Sequence, residues 1–436
     1  MIVLQNIWWL LVLIGVMILI HELGHYWAAR FFDVRVDAFS FGFGPRLFGF
    51  RKGETDFRFS LILFGGYVKM AGEQPGEENA HDPRAFLAKP RWQRLIIAFA
   101  GPFMNIVLAV AVLTGLFMVH FPKLPNIPDP VVGYVSPEGA AAKAGVREGD
   151  KIVQIDNKTD PTWEDIAMRE IASAGHAMDV WALRNGERLH FVVTPVLEPK
   201  SGAGMAGWAE QTQIHIVSVA PNMPAAKAGL QRGDVLMSAN GQPIRSNIKL
   251  LDVINGHPGG PVDIVYSRNG KVGNVSVTPV KSNLDGTERW MIGVSLETKL
   301  VITQLPFPEA LSESVKQNAK YASMIYTILR GIVERRMSAK SLNGPIGIAQ
   351  MSGEAAREGA GPFFGLMSMV SLNLAVFNLL PIPILDGGVI LLLLIEMFMR
   401  RDLSLQVKEA VFKVGFVFLM AVVVFALYND ISKLAG

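Results

Sequence analysis

The 436-residue sequence predicts a polytopic α-helical membrane protein of about four transmembrane helices, with a membrane-associated β region and two external α+β domains. Three observations carry this. Half of the residues are hydrophobic and the mean hydropathy is +0.31, too apolar for an ordinary soluble chain and too polar for a pure membrane bundle. Long apolar runs stand near both ends. Between them lies an ungapped internal repeat at an offset of 84 residues. The net charge of +3 gives no reason to invoke nucleic acid, and the absence of cysteine excludes disulfides and thiol catalysis.

The first apolar run, Ile7 to Arg30, reads as a retained membrane helix rather than a cleaved signal peptide. It has no basic residue at its start and no small-residue cleavage site, and it ends on His21-Glu22-Leu23-Gly24-His25. In a helix, His21 and His25 project from one face and can grip one metal ion, with Glu22 beside them as general base. His21 lies about 21 Å beyond Ile7, inside a hydrocarbon core of about 30 Å. The alternative, two satisfied histidines on a packed helix, is weakened by that depth, since ionisable groups in hydrocarbon are costly unless partnered. No Lys or Arg precedes Arg30 and eleven stand from Arg30 to Arg94 inclusive, which predicts an external N-terminus and a cytoplasmic loop.

Val34 to Met70 is aromatic, β-branched and punctuated by glycine, and reads as strands. Such strands either dip into the membrane beside the motif, offering an edge to an extended peptide, or simply cap the first helix. Gly72 to Lys89 reads as a loop. A second helix spans Trp92 to Phe121, with Gly101-Pro102-Phe103-Met104-Asn105 near its start; Asn105 can bond a neighbour in the site or another helix. Pro122 to Pro130 is a linker.

In the repeat, Ala141-Ala142-Lys143-Ala144-Gly145-Val146-Arg147-Glu148-Gly149-Asp150 matches Ala225-Ala226-Lys227-Ala228-Gly229-Leu230-Gln231-Arg232-Gly233-Asp234. Each copy continues with a strand (Lys151–Ile155, Val235–Ala239), a tight turn, a helix and more strands. The run resembles PDZ domains of bacterial envelope proteases, which implies peptide binding by strand addition or a spacer that binds nothing. The domains are placed at 128–198 and 214–298, with Pro199 to Gln213 as the connection. An amphipathic helix on the outer surface is expected over 306–340, and Leu342 to Ala349 is a turn-rich return.

The last part, 360–436, carries helices three and four, as 1–121 carries one and two. Helix three breaks at Pro381-Ile382-Pro383-Ile384-Leu385-Asp386-Gly387-Gly388, and the apolar run resumes at Val389. Irregular backbone at membrane depth survives only where buried or lining a cavity, which makes Asp386 a candidate third metal ligand rather than a surface turn residue. Helices one and three both run inward, so His21, His25 and Asp386 can meet at one depth.

Together, H-E-L-G-H and N-L-L-P-I-P-I-L-D-G-G, with G-F-G-P, G-G-Y-V-K-M and A-G-P-F-M-N, resemble the site-2 protease family of intramembrane zinc metalloproteases. The tandem repeat narrows the resemblance to the two-PDZ type of Gram-negative bacteria. The resemblance implies zinc held by His21, His25 and Asp386, with Glu22 as base. It implies the inner membrane, a site in the cytoplasmic half of the bilayer, and periplasmic termini and PDZ domains. The implied substrates are single-pass membrane proteins, chiefly anti-sigma factors, and remnant signal peptides; a peptide or periplasmic partner for the PDZ domains is also implied. Asn378 and Pro381 match positions that help bind substrate, and Gly42, Gly44, Gly65 and Gly66 fall in the matching hairpin. Val389 stands where a histidine commonly follows L-D-G-G. A membrane zincin with a helical Glu ligand and a non-enzymatic scaffold are the rival readings. No second Glu motif supports the first, and Glu22 with Asp386 argues against the second.

Overall fold

A computed structural model describes residues 2–73, 82–123, 129–198, 202–282, 289–298, 301–334 and 344–435. Parts of four expected connections (74–81, 124–128, 199–201, 341–343) and the end of the expected amphipathic helix (335–340) lie outside the described residues. Helix α1 (Ile2–Phe31) buries one stripe, Leu10, Leu13, Met17, His21 and Gly24/His25, at the three-to-four spacing of a helix face. Trp8, Leu19 and Trp27, on its other side, stay exposed.

Strands β1 (Val36–Lys52) and β2 (Thr55–Met70) form the expected β region as an antiparallel pair that folds back on itself. Phe39 pairs with both Val68 and Phe57, and Phe57 pairs in turn with Phe50. Each long strand bends back, so four segments lie side by side in the order 66–70, 36–41, 56–60, 46–52. Gly42 and Gly44, at φ 95° and 86°, sit at the bend in β1, where a side chain would be strained. The outer edge of 66–70 pairs with no further strand among the described residues. Helix α2 (Arg91–Val119) then packs against α1.

The middle of the chain, Pro122–Thr303, groups with 327–341 as one compact unit, and 1–121, 304–326 and 342–436 form another. In the first repeat copy, β3 (Val132–Val135), β4 (Lys151–Ile155), α3 (Trp163–Ile171), β5 (Met178–Arg184) and β6 (Glu187–Val193) surround a core of Ile152, Ile155, Ile166 and Val180. The stretch read as a connection supplies β7 (Trp208–Glu210), which pairs with β3, and Ala206 and Trp208 enter the same core. The first domain therefore runs past residue 198 to Glu210. The second copy has β8 (Ile214–Val219), β9 (Val235–Ala239), α4 (Asn247–Asn255), β10 (Val262–Arg268), β11 (Lys271–Val277) and β12 (Val294–Thr298), in the sheet order β11-β10-β9-β8-β12. Tyr134 donates to Asp252 at 2.6 Å and Glu148 pairs with Lys249 at 3.1 Å, which links the copies.

Helix α5 (Phe307–Val333) is as expected at its start, but there it packs on α2: Ala310 joins Leu113 and Phe117, and Ser314 Oγ donates to Val110 O. The segment read as turn-rich opens a helix, α6 (Pro345–Glu358). Pro345 suits its first turn, and Asp430 accepts from the N–H groups of Gly344, Ile346 and Gly347 at 2.8–3.1 Å. Helices α7 (Ala360–Asn378), α8 (Asp386–Met399) and α9 (Leu405–Ala435) complete the chain. Among the described residues, four helices are long and apolar enough to cross a membrane: α1, α2, α7 and Leu405–Ser432 of α9. Helix α8, at 14 residues, spans about 21 Å and stops short of a full crossing. Inside its apolar run, Glu396 is fully buried and meets Lys408 at 2.6 Å.

The repeated Gly-Asp has a structural task. Asp150 takes two 2.7 Å bonds from Arg184 and the Arg147 N–H; Asp234 takes the same set from Arg268 and Gln231. Burial pushes the Asp234 carboxyl up, but the Arg268 guanidinium and the Gln231 N–H outweigh it and hold its pKa below 3.8. Its stabilisation is therefore present above pH 3.8 and lost as pH falls through the lower folded value. Asp234→Ala is expected to lower the opening free energy of residues 214–298 by about 2–4 kcal/mol, read by hydrogen–deuterium exchange on the full chain.

Candidate metal centre

His21 and His25 lie on α1 and Asp386 at the first turn of α8, so the site is assembled from chain ends more than 360 residues apart. His21 Nε2 is 3.2 Å from His25 Nε2 and 3.1 Å from Asp386 Oδ2; His25 Nε2 is 3.4 Å from Asp386 Oδ1. One ligand atom from each residue falls within 4.8 Å of the others. A tetrahedral zinc with ligands at about 2.0–2.2 Å has ligand–ligand edges of about 3.3–3.6 Å. Two imidazoles and one carboxylate at this spacing fit such an ion and leave a fourth position for water.

Each imidazole is oriented from behind. His25 Nδ1 donates to Ile97 O at 2.8 Å, so its Nε2 lone pair faces Asp386. Asn105, fully buried on α2, has its Nδ2 3.2 Å from His21 Nδ1, while its Oδ1 meets no partner among the described residues. With the amide oxygen turned to that nitrogen it accepts the Nδ1 proton, and Nε2 is again free to bind. Ser371 on α7 donates to Asn105 O at 2.9 Å, tying a third helix to this arrangement.

Two backbone approaches make room. A Cβ on Gly101 would lie 2.3 Å from His25 Nε2 and 2.9 Å from His21 Cε1, so only glycine there lets both rings sit against α2. A Cβ on Gly387 would lie 2.2 Å from Leu380 O, where the turn after α7 folds over the start of α8. In that turn Ile384 adopts φ 86°, an outlier for a β-branched residue, two positions before Asp386.

Glu22, both histidines, Asp386, Asn378 and Val389 line one cavity of about 310 Å³. Tyr67, Val68 and Met70, from the outer strand of the β region, also line it. Gly66 lies against Glu22, where an added Cβ would be 3.2 Å from Glu22 Cγ. Of the expected substrate-binding positions, Asn378 lines the cavity and Gly66 borders it. Gly42, Gly44, Gly65 and the exposed Pro381 are not among the lining residues. Val389 also lines a second cavity of about 840 Å³, which shares Tyr67, Val68, Glu73 and Phe86 with the first. Sequence reasoning missed Ile97 and Ser371: a carbonyl partner has no residue signature, and a serine on a membrane helix has many uses.

Comparison with known proteins bears on this geometry. The model of peptidase family M50 matches residues 9–422. The chain belongs to peptidase family M50. A "Regulator of sigma-E protease RseP" from Salmonella typhimurium is 30% identical over 99% of this chain and 99% of its own length. A "Putative zinc metalloprotease" from Vibrio cholerae is 28% identical over 97% and 98%. The PDZ domain of an SdrC-like protein from Listeria monocytogenes matches 20% of this chain and 90% of its own, at 25% identity and TM-score 0.18. This M50 chain is a membrane zinc metalloprotease. Gly101→Ala is expected to reduce bound zinc at least tenfold, measured by elemental analysis of purified protein, with helix content by circular dichroism unchanged.

Proposed function

We propose that this chain hydrolyses peptide bonds within the bilayer, in the membrane segments of single-pass proteins. The observation that carries the proposal is the convergence of His21, His25 and Asp386 between apolar helices, with Glu22 and the outer strand of the β region lining the same cavity. On this reading His21, His25 and Asp386 hold the zinc. When bound, zinc supplies Lewis acidity to the scissile carbonyl and to the attacking water. Glu22 takes the proton of that water and delivers it to the leaving amine. Asn378 orients the substrate from the α7 side.

A helical substrate keeps its carbonyls in bonds to residues four further on, so it must unwind before it can be cut. Strand addition along Gly66–Met70 compensates for those lost bonds and lays the extended segment beside Glu22. The 840 Å³ cavity beyond Val389 provides the route for water. The basic loop after α1 supports a cytoplasmic position for it, which puts the two β domains on the periplasmic side of the inner membrane. The name of the Salmonella relative supports an anti-sigma factor as one substrate; remnant signal peptides share the same single-pass chemistry.

Glu22→Gln is expected to keep one zinc per chain and lose cleavage of a single-pass substrate by about 100- to 10,000-fold. Asp386→Ala is expected to lose the zinc as well; a variant that kept its zinc would remove Asp386 from the ligand set. Since the chain has no cysteine, one introduced at the exposed Lys158 reports topology directly. An impermeant maleimide is expected to label it from the periplasmic side, and protection there would reverse the orientation.

A further inference from the structure

Ten residues after Asp386, near the other end of α8, Glu396 is fully buried in an otherwise apolar run. At 1.5 Å per residue the two carboxylates stand about 15 Å apart along one helix. Glu396 Oε1 accepts from Lys408 Nζ of α9 at 2.6 Å and from Leu403 N at 3.0 Å. Its Oε2 accepts no hydrogen bond among the described residues and stands 4.0 Å from Arg94 Nη2 of α2. Arg94 donates in turn to Asp402, in the connection between α8 and α9, at 3.3 Å. The charges therefore gather where three helices meet.

This cluster closes a frame around the metal centre. On α2, Arg94, Ile97, Ala98, Gly101 and Asn105 form one buried stripe. Ile97 O and Asn105 meet the histidine rings and Gly101 makes room for them, so Arg94 stands one turn before the first of these supports. Helix α8 is thus tied to the stripe twice, through the histidines at Asp386 and directly at Glu396. Helix α9 braces both ends of α8. Lys408 meets Glu396, and two turns later a Cβ on Gly415 would lie 2.3 Å from Pro383 Cβ, in the turn that leads to Asp386.

The energetics favour placement over stability as the task of this pair. Desolvation of a buried ion pair offsets most of its attraction, and apolar replacements of similar volume are often neutral or stabilising. Leucine would suit the helix, as it does at the buried Leu393. What directional charged bonds add is register: they resist a slide or rotation of α8 that apolar packing would accept. A helix held only at its first residue can tilt and turn there, whereas metal–ligand distances hold to within about 0.2 Å.

We propose that Glu396 is a positioning residue for the metal centre: by fixing the far end of α8 to α9 and α2, it sets the depth and rotation at which Asp386 meets the two histidines. The inference rests on Asp386 being a zinc ligand.

The test uses purified full-length protein in detergent, and removes both charges of the pair so that neither is left buried alone. Glu396→Leu combined with Lys408→Met is expected to leave the melting temperature of the metal-free protein unchanged or higher. Zinc affinity by chelator competition is expected to weaken about ten- to hundredfold. The visible bands of bound Co2+, which report its ligands, are expected to move toward those of Asp386→Ala, and cleavage of a single-pass substrate to fall in kcat with KM unchanged. Glu396→Gln, with the same metal readouts expected, takes the place of the double variant if circular dichroism shows the latter to be unfolded. A folded variant that keeps its affinity and bands, or loses affinity only in step with a lower melting temperature, would overturn the proposal. Co2+ bands left unaltered by Asp386→Ala would instead remove the ligand assignment, and this inference with it, whatever Glu396 does.

Discussion

Two imidazoles and a carboxylate brought within 3.1–3.4 Å of one another between apolar helices form the constraint on which the membrane unit depends. Polar groups among apolar helices are expensive unless they share partners, and these three stand close enough together that one cation would fit among them. The neighbouring structure follows from that demand. Glycine at 101 is the only residue type that lets both rings lie on α2, Ile97 O and Asn105 meet the Nδ1 atoms of His25 and His21, and the glycines after Asp386 let the chain fold back tightly enough to bring it to the two rings. Ser368 and Ser371 bind α7 to the α2 backbone at 2.9 Å, so the third helix cannot slide without disturbing the histidine supports.

The parts of this site that repeat a local pattern were legible in the sequence. His21 and His25 stand out because four residues in a helix is one turn, and Asp386 because a polar break interrupts an apolar run. The supports behind them depend on which helices touch, which no single segment encodes. The folded-back β region illustrates the same limit. Its glycines announced bends, but the double pairing of Phe39 and Phe57 is a property of tertiary register. Helix α6 was hidden because its capping carboxylate, Asp430, lies 86 residues away in the chain. Glu396 was hidden because one acid in an apolar run does not break its pattern, and its partner Lys408 arrives from the next helix.

The two β domains were legible as a repeat, yet their differences carry the information. The Gly-Asp of both copies serves one structural purpose, binding an arginine and closing a turn, which explains why the motif recurs intact. The stretch after residue 198 looked like a linker because it is short and glycine-containing, whereas Gly204 and Gly207 permit the close approach by which β7 completes the first domain. Where the copies diverge, the first buries Glu170 against Trp208 and the second buries Ile254 in its apolar core.

Zinc K-edge X-ray absorption on the purified full-length protein tests the central claim most directly. Ligation by His21, His25 and Asp386 predicts two imidazole nitrogens with the remaining first-shell atoms oxygen, at about 2.0–2.2 Å. A shell of three or more imidazoles, or one with none, would contradict it.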